Sequence, residues 1–421
     1  MLMNYKFKNY KSYYNECNFS MLANSDKSHS SNLEAIGKDK ISKVKIVYGA
    51  NASGKSSFIQ SVEFVKMFAL MSNRLVEGNH IAVNPYVFVN DYVNNPSEFN
   101  ITFLKNETKY NYSFSCTSEK VINEKLDVYY SSKPTNIFTR TNTNDYKFNT
   151  DNKVLNEIKS KNTINKLFLI TAATWNYEKV KPVVDYIMND IVVLYDTAQP
   201  TKYNMDYIIK NNDFDEYKKF CLDFLNNADL SINDFEVNSK KLKELPAELM
   251  RNIVNMITNN DPEQINKISN TDVYNIKTHH KISHNGTEKL YTLELIEESI
   301  GTQQLFHLAP ILFYVFKEGK TLFIDEIDRS LHPILVEHII RKFFNKEINT
   351  KNSQLICNTH DTNLLNLELF RRDEIWFAER DNITGFSTMF SLSDFSPRKD
   401  ENIEKAYLLG RFGAIPFIKG D

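Results

Sequence analysis

Cysteine is scarce, four in 421 residues, and Cys17, Cys116, Cys221 and Cys357 form no C-x-x-C pair. That scatter excludes a disulfide framework or a Cys-rich zinc module and leads to the expectation of reduced thiols in a cytoplasmic protein. Glycine and proline are equally sparse, 11 each, so long flexible linkers are not expected. The strongest apolar run, Leu308–Phe316, is too short to span a bilayer. Met1–Tyr14 is polar and aromatic, without the apolar centre of a signal peptide. No membrane is expected. The charges nearly cancel, for a formal net charge of −2, which rules out a global basic field for nucleic acid and leaves room only for a local patch. Against these absences, 42% of the residues are hydrophobic and 13% aromatic, enough to build more than one lobe with a buried core.

The chain is organised around Lys45–Ser57, which reads as a buried strand, a tight loop and the start of a helix. Gly49, Gly54, Lys55 and Ser56 satisfy G-x-x-x-x-G-K-[ST], the phosphate-binding P-loop pattern. Small residues in such a loop let successive N–H groups turn inward as an anion nest, and the helix that follows adds its positive end. The cradle is therefore Gly49, Asn51, Ala52, Ser53, Gly54, Lys55, Ser56 and Ser57, with Lys55 reaching the phosphates and Ser56 a ligand of magnesium. The flanks agree. Val44–Tyr48 is short, apolar and rich in β-branched residues, while Phe58, Ile59, Val62, Val65, Phe68 and Ala69 recur at helical spacing.

Along the chain, Asn4–Tyr14 and Glu16–Met21 alternate like strands, and a polar connection, Ala23–Lys40, follows. Strand patterns return at Tyr86–Val89, Phe99–Phe103, Tyr110–Cys116 and Val121–Tyr130, predicting an antiparallel sheet beside the nucleotide core. From about 155 to 268 the spacing is mostly helical, with Phe220, Phe224 and Leu225 on one face and Leu249, Ile253 and Met256 on another. The expected division is an N-terminal lobe over 1–150, a helical insertion over 151–272 and a C-terminal lobe over 273–421.

That last lobe supplies a second set of chemistry. Thr321–Ile324 is an apolar strand that ends in Asp325 and Glu326, and ligands of open α/β sheets bind at that edge. An acid there can hold magnesium (Asp325) and a second can deprotonate the attacking water (Glu326). Gln354–Asn358 is another apolar strand, after which His360 could reach the terminal phosphate. Glu298-Ser299-Ile300-Gly301-Thr302 opens a further helix.

The order P-loop, insertion, Ser-x-Gly at a helix start, Asp-Glu, then His resembles the heads of ABC-type ATPases. More closely, the chain resembles the SMC/RecF-like AAA_15 ATPases of bacterial anti-phage loci, of the AbiL, RloA and PARIS types. The carriers are Asn9–Ser12, Tyr48–Ser56, Glu298–Thr302, Asp325–Pro333, Thr359–Asp361, Arg371–Trp376 and Tyr407–Pro416. The resemblance implies an α/β P-loop NTPase fold, an ABC-type head with a mixed sheet, an antiparallel β lobe and an inserted helical domain. It implies ATP and Mg2+ as cofactors and a homodimer or higher oligomer whose heads sandwich ATP, with Ser299 and Gly301 of one copy on the nucleotide held by the other. It also implies a sensor or regulatory role towards an effector, a nuclease or toxin encoded nearby, with DNA or a phage protein as further possible partners. The chain departs from many ABC heads in having Ser-Ile-Gly-Thr-Gln for Ser-Gly-Gly-Gln/Glu, and His332 where an Asp is common.

Other readings compete. A RecF/SMC-like DNA-maintenance ATPase, or a scaffold that binds ATP and hardly turns it over, fits the same motifs. His279, His280 and His284 could hold a metal, though without nearby Cys they read better as a surface cluster. Asp325, Glu326 and Asp328 could form a metal-dependent nuclease centre, but the P-loop would then lack a catalytic partner. Arg371-Arg372 reads as a solvated charged face rather than a DNA contact, because no aromatic stripe interleaves with the basic residues.

Overall fold

The computed structural model describes residues 1–89, 94–195, 202–226, 232–244, 272–284, 287–329, 331–398 and 401–415. Ser330 and Pro416, two carriers of the motif likeness, lie outside them, as does the expected apolar face of Leu249, Ile253 and Met256. The chain divides into two compact units, one of 1–196, 315–329 and 333–421, the other of 197–314 with 330–332.

The first unit contains two large sheets. The strands are β1 (Leu2–Lys8), β2 (Cys17–Ser20), β3 (Leu33–Ile36), β4 (Asp39–Ser42), β5 (Val44–Tyr48), β6 (Ser97–Lys105) and β7 (Thr108–Cys116). Next come β8 (Val121–Tyr129), β9 (Thr135–Thr141), β10 (Asp145–Phe148) and β11 (Ile191–Leu194). One sheet is antiparallel, in the order β10-β9-β8-β7-β6-β1-β2, and β3 pairs with β4 in a hairpin of its own. That hairpin overlaps the end of the stretch expected to be a polar connection, Ala23–Lys40, and runs on to Ser42. Tyr86–Val89, expected as a strand, has no strand structure.

The other large sheet uses strands from both ends of the chain. With β12 (Asp234–Lys241), β13 (Asp272–His284) and β14 (Thr287–Glu294) reserved to the second unit, it adds β15 (Thr321–Ile324), β16 (Gln354–Asn358), β17 (Ile375–Arg380) and β18 (Ser387–Ser391). Its order is β11-β15-β16-β5-β17-β18, parallel throughout except for the β17–β18 pair. All five residues of β5 are buried, as are all of β15 and β16, which is the continuous apolar pattern of strands covered on both faces.

The helix Lys55–Met71 lies between the two sheets. Its Phe58 meets Phe19 of the antiparallel sheet at 4.8 Å between ring centroids and Phe323 of β15 at 6.3 Å. Ile59, Val62, Val65 and Phe68 continue the buried stripe, at the spacing read from the sequence. One wedge of apolar side chains thus fixes the helix that leaves the P-loop.

The expected boundary at 150 does not coincide with the division into units. Segment 151–196 belongs to the first unit for identifiable reasons. The buried Glu124 carboxylate accepts the N–H groups of Phe168 (2.7 Å) and Leu169 (2.8 Å), and buried Arg140 donates to the carbonyl oxygens of Lys166 (2.8 Å) and Ile164 (3.1 Å). Buried groups of this kind need such partners. β11 then pairs with β15, in register from Ile191 with Thr321 to Leu194 with Ile324.

Arg371 is not part of a solvated face. It is fully buried, its Nε and a terminal nitrogen each 2.9 Å from the Asp373 carboxylate, and it donates to the Asp26 (2.8 Å) and Ser28 (2.5 Å) carbonyl oxygens. Arg372 pairs with Asp26 at 2.6 Å. The two arginines pin the 24–28 loop to the sheet. They are structural, as the bidentate geometry of guanidinium with carboxylate favours.

The second unit is not purely helical. The helices Lys202–Lys210 and Phe214–Asn226 accompany an antiparallel sheet in the order β12-β13-β14. Its core includes Tyr217 against Phe313 (5.7 Å) and Phe235 against Phe306 (5.4 Å). His280 is held by Glu298 at 2.6 Å and His279 by Thr292 at 3.0 Å, so these neighbours point to different partners rather than to one centre. Among the described residues, no group of three or more His, Cys, Asp or Glu could hold a metal ion. The side chain of His284 is outside the described set.

Candidate nucleotide site

The loop after β5 is built for a backbone-lined cavity. Gly49 has φ 156°, and a Cβ there would lie 2.3 Å from the Ala378 carbonyl oxygen and 2.6 Å from Ser53 Oγ. Gly54 has φ 112°, and its Cβ would lie 2.6 Å from Ser387 Oγ and 3.0 Å from the Tyr13 ring. Both positions need glycine for conformation and for space. Between them Ala52 also takes a left-handed φ of 62°. Ser53 Oγ is buried with no hydrogen-bond partner among the described residues.

Gly54 caps the helix without any side-chain bond, and the first helical donor to find a backbone acceptor is Phe58, to Gly54 O at 3.0 Å. The N–H groups ahead of it are those that a helix start leaves for another acceptor. Donor groups, a Cβ-free turn and an orphan hydroxyl together fit a phosphate chain.

Lys55 supplies the charge. Its ammonium is buried and donates to Gly49 O (2.7 Å) and Ala50 O (3.0 Å). Burial lowers it to about 8, against the opposing pull of Asp325, Glu326 and Asp328. A cation so poorly hydrated gains more from an anionic ligand than an exposed lysine does.

Ser56 Oγ donates to Asp325 Oδ1 at 3.0 Å, joining the P-loop to the end of β15. A hydroxyl and a carboxylate at that separation are the donor set a hydrated Mg2+ takes beside nucleotide phosphates. Glu326 follows in a left-handed conformation, φ 54°, with its N–H on Asn358 Oδ1 at 2.6 Å. His360 lies past β16, the strand between β15 and β5, and its N–H is bound by Asp328 Oδ2 at 3.1 Å. Its imidazole is held below the usual value, first by partial desolvation and then by the Lys55 ammonium, so the ring is neutral at pH 7.

The structure thus brings together Gly49 to Ser56, Asp325, Glu326 and the backbone of His360, around the C-terminal edges of β5, β15 and β16. Ser299 and Gly301 belong to the second unit. Ser299 caps the helix Ile300–Glu318, its hydroxyl accepting the Thr302 N–H at 3.1 Å, and Gly301 sits in the first turn. Cys357 is a buried β16 thiol whose pKa is pushed up by burial. Asp328, weighed in the sequence only as part of a nuclease centre, instead holds the His360 backbone. The residue the sequence did not single out is Asn358, which binds the Asp325 carboxylate and the Glu326 N–H. The signal for Asn358 was available in an apolar strand that ends in an amide.

No curated protein matches the chain. Similar solved structures include an Smc head bound to the C-winged helix domain of ScpA, with 13% identity over 93% of this chain and 97% of that one and a TM-score of 0.44. Another is an Smc head with an extended coiled coil bound to the C-terminal domain of ScpA from Pyrococcus furiosus, at 14% identity, 98% of each chain and a TM-score of 0.37. A third is cbiO1 of Clostridium perfringens, part of the ABC transporter complex cbiONQ, at 13% identity, 98% of each chain and a TM-score of 0.30. At such scores these likenesses add nothing to what the sheet order and the loop geometry establish. The family model AAA_21 matches residues 45–366, from the P-loop strand past His360. With its P-loop, parallel sheet and paired acids inside that span, the chain belongs to this α/β P-loop family, described as "AAA domain, putative AbiEii toxin, Type IV TA system".

Proposed function

We propose that the chain is an ATPase whose hydrolysis drives a regulatory switch in an anti-phage or toxin–antitoxin pair. The observation that carries the ATPase reading is the Ser56–Asp325 bond, which joins the phosphate loop to the acidic edge of the same sheet at 3.0 Å. When bound, Mg2+–ATP supplies the phosphate to be transferred and the metal's charge neutralisation. Ser56 and Asp325 would hold the metal, Lys55 would pair with the phosphates, and Glu326 would take the proton of the attacking water. Neutral His360 would sense or polarise the terminal phosphate.

The dimer belongs to the same proposal. Ser299 and Gly301 open a helix whose first N–H groups suit an anion, and that anion would be the nucleotide of a second copy. The family description supports the defence setting, and so does the motif likeness to AAA_15 ATPases. Among the described residues no helix is long and apolar enough to cross a membrane, in keeping with a cytoplasmic complex. The partner would be a nearby-encoded effector, with DNA or a phage protein as trigger. Because the description names a toxin, growth arrest by this chain alone, lost in Lys55→Ala, would instead place the toxic activity here.

The test is solution mass. Light scattering of the Glu326→Gln protein should show an ATP- and Mg2+-dependent doubling that Ser299→Arg abolishes. A constant mass, indifferent to nucleotide and to Ser299→Arg, would overturn the shared site.

Lys55 also makes nucleotide affinity depend on pH. Its free value of about 8 must rise when phosphates bind, so binding takes up a proton above pH 8. Affinity should therefore be flat below about pH 7 and fall by roughly 20-fold between about pH 7.5 and about pH 9.5. Calorimetric titration of ATP should show this slope in the wild type and not in Lys55→Arg, whose guanidinium keeps its proton.

A further inference from the structure

Asn358 ends β16, the strand between the one that delivers Asp325-Glu326 and the one that leads into the P-loop. It is only 1% exposed. The parallel register sets Cys357 beside Ile324 and Asn358 beside Val47, so Asn358 stands in the same row as Asp325. Its Nδ2 donates to Asp325 Oδ1, the oxygen that also accepts the Ser56 hydroxyl. Its Oδ1 accepts the Glu326 N–H at 2.6 Å, and its main-chain oxygen accepts the Ile327 N–H at 3.1 Å.

We propose that Asn358 is a positioning residue for ATP hydrolysis, orienting the metal-side carboxylate with one end of its amide and holding the backbone of the general base with the other. The inference rests on the ATPase reading above. A carboxylate can only accept and a backbone N–H can only donate, so a group between them must present a donor on one side and an acceptor on the other. Among uncharged side chains of that length, a primary amide does so from a fixed plane. Its two partners also settle which end is nitrogen.

The consequence for Glu326 is geometric. A non-glycine residue seldom adopts positive φ, and Glu326 does so immediately after a carboxylate that must face the P-loop. The bond from its N–H to Asn358, reinforced by the Ile327–Asn358 bond, closes the turn in that conformation and so fixes where the Glu326 side chain starts. Base placement of this kind enters turnover more than binding, because the proton moves only in the transition state.

Two variants separate positioning from mere support. Asn358→Ala removes both side-chain bonds. Asn358→Thr keeps a hydroxyl able to donate to Asp325 but not an amide spanning both acids, and it suits a strand end should the alanine protein not fold. In both, ATP affinity measured without metal should stay within about twofold of wild type, while kcat falls at least about tenfold. The electron paramagnetic resonance spectrum of Mn2+ in the Mn2+–ATP complex should change in Asn358→Ala and stay near wild type in Asn358→Thr. A wild-type kcat in either folded variant overturns the proposal, as does a fall carried entirely by weaker ATP binding. If the wild-type protein itself hydrolyses no ATP, the ATPase reading has failed. The Mn2+ spectrum then decides for Asn358, since an unchanged spectrum in Asn358→Ala overturns its role and a changed one upholds the hold on Asp325.

Discussion

Lys55→Ala should abolish useful ATP binding, weakening the Mg2+–ATP Kd by at least about 100-fold, which corresponds to roughly 3 kcal/mol. The magnitude follows from what the ammonium does. It is buried, its charge is poorly compensated by two neutral carbonyl oxygens at 2.7 and 3.0 Å, and it faces a loop that offers otherwise only N–H dipoles. A charge-assisted hydrogen bond is worth about 1.5–3 kcal/mol, and a polyphosphate adds Coulomb attraction in a site of lowered dielectric.

Stability should move differently. A lysine lowered to about 8 opposes folding while it is charged. That cost is fully present below its folded value and fades as pH rises towards the unfolded value near 10.5. Removing it should leave the melting temperature of the nucleotide-free protein at pH 7 unchanged or higher. Isothermal titration and melting curves of the same preparation check both halves. An ATP affinity equal to wild type would refute the assignment of the phosphate loop.

This loop was legible in the sequence because its chemistry is contiguous. Gly49 to Ser56 carries turn, nest, cation and hydroxyl within one strand-to-helix connection, and the buried helical stripe from Phe58 confirms the local pattern. Asp325 and Glu326 were legible for a similar reason, since three apolar residues, Leu322 to Ile324, followed by two acids describe a strand end. Pairing between distant strands left no such trace. Nothing local to Gln354–Asn358 says that it inserts between β15 and β5, and that placement alone turns Asn358 from a strand-end amide into a contact of both acids.

Burial escaped the sequence for the same reason. Arg371 looks like one half of an exposed basic pair until Asp26 and Ser28, more than 340 residues earlier, close around it. The extent of the first unit followed suit. Glu124 and Arg140 claim the segment 163–169 through buried bonds that no periodicity predicts, so helical spacing from about 155 onward suggested an insertion where the fold continues the first unit.

Glu326→Gln should be the most informative single substitution on kcat, lowering it by about 100-fold or more while leaving the ATP Kd within roughly threefold. The amide keeps the size of the carboxylate and has no negative charge to repel the terminal phosphate, so binding should hold or tighten slightly. It cannot accept the proton of the attacking water, and general-base assistance contributes on the order of 10²- to 10⁴-fold. The backbone should be indifferent to the change. Glu326 is held at φ 54° through its own N–H on Asn358 and the following Ile327 N–H, neither of which involves its side chain. Quenched single-turnover measurements separate the chemical step from product release and so locate the defect. A single-turnover rate equal to wild type would remove Glu326 as the base and make His360 and Asp328, both at this edge of the sheet, the next groups to test. Because His360 is kept neutral by its surroundings, a surviving rate carried by His360 would then fall with acid as the imidazole takes a proton.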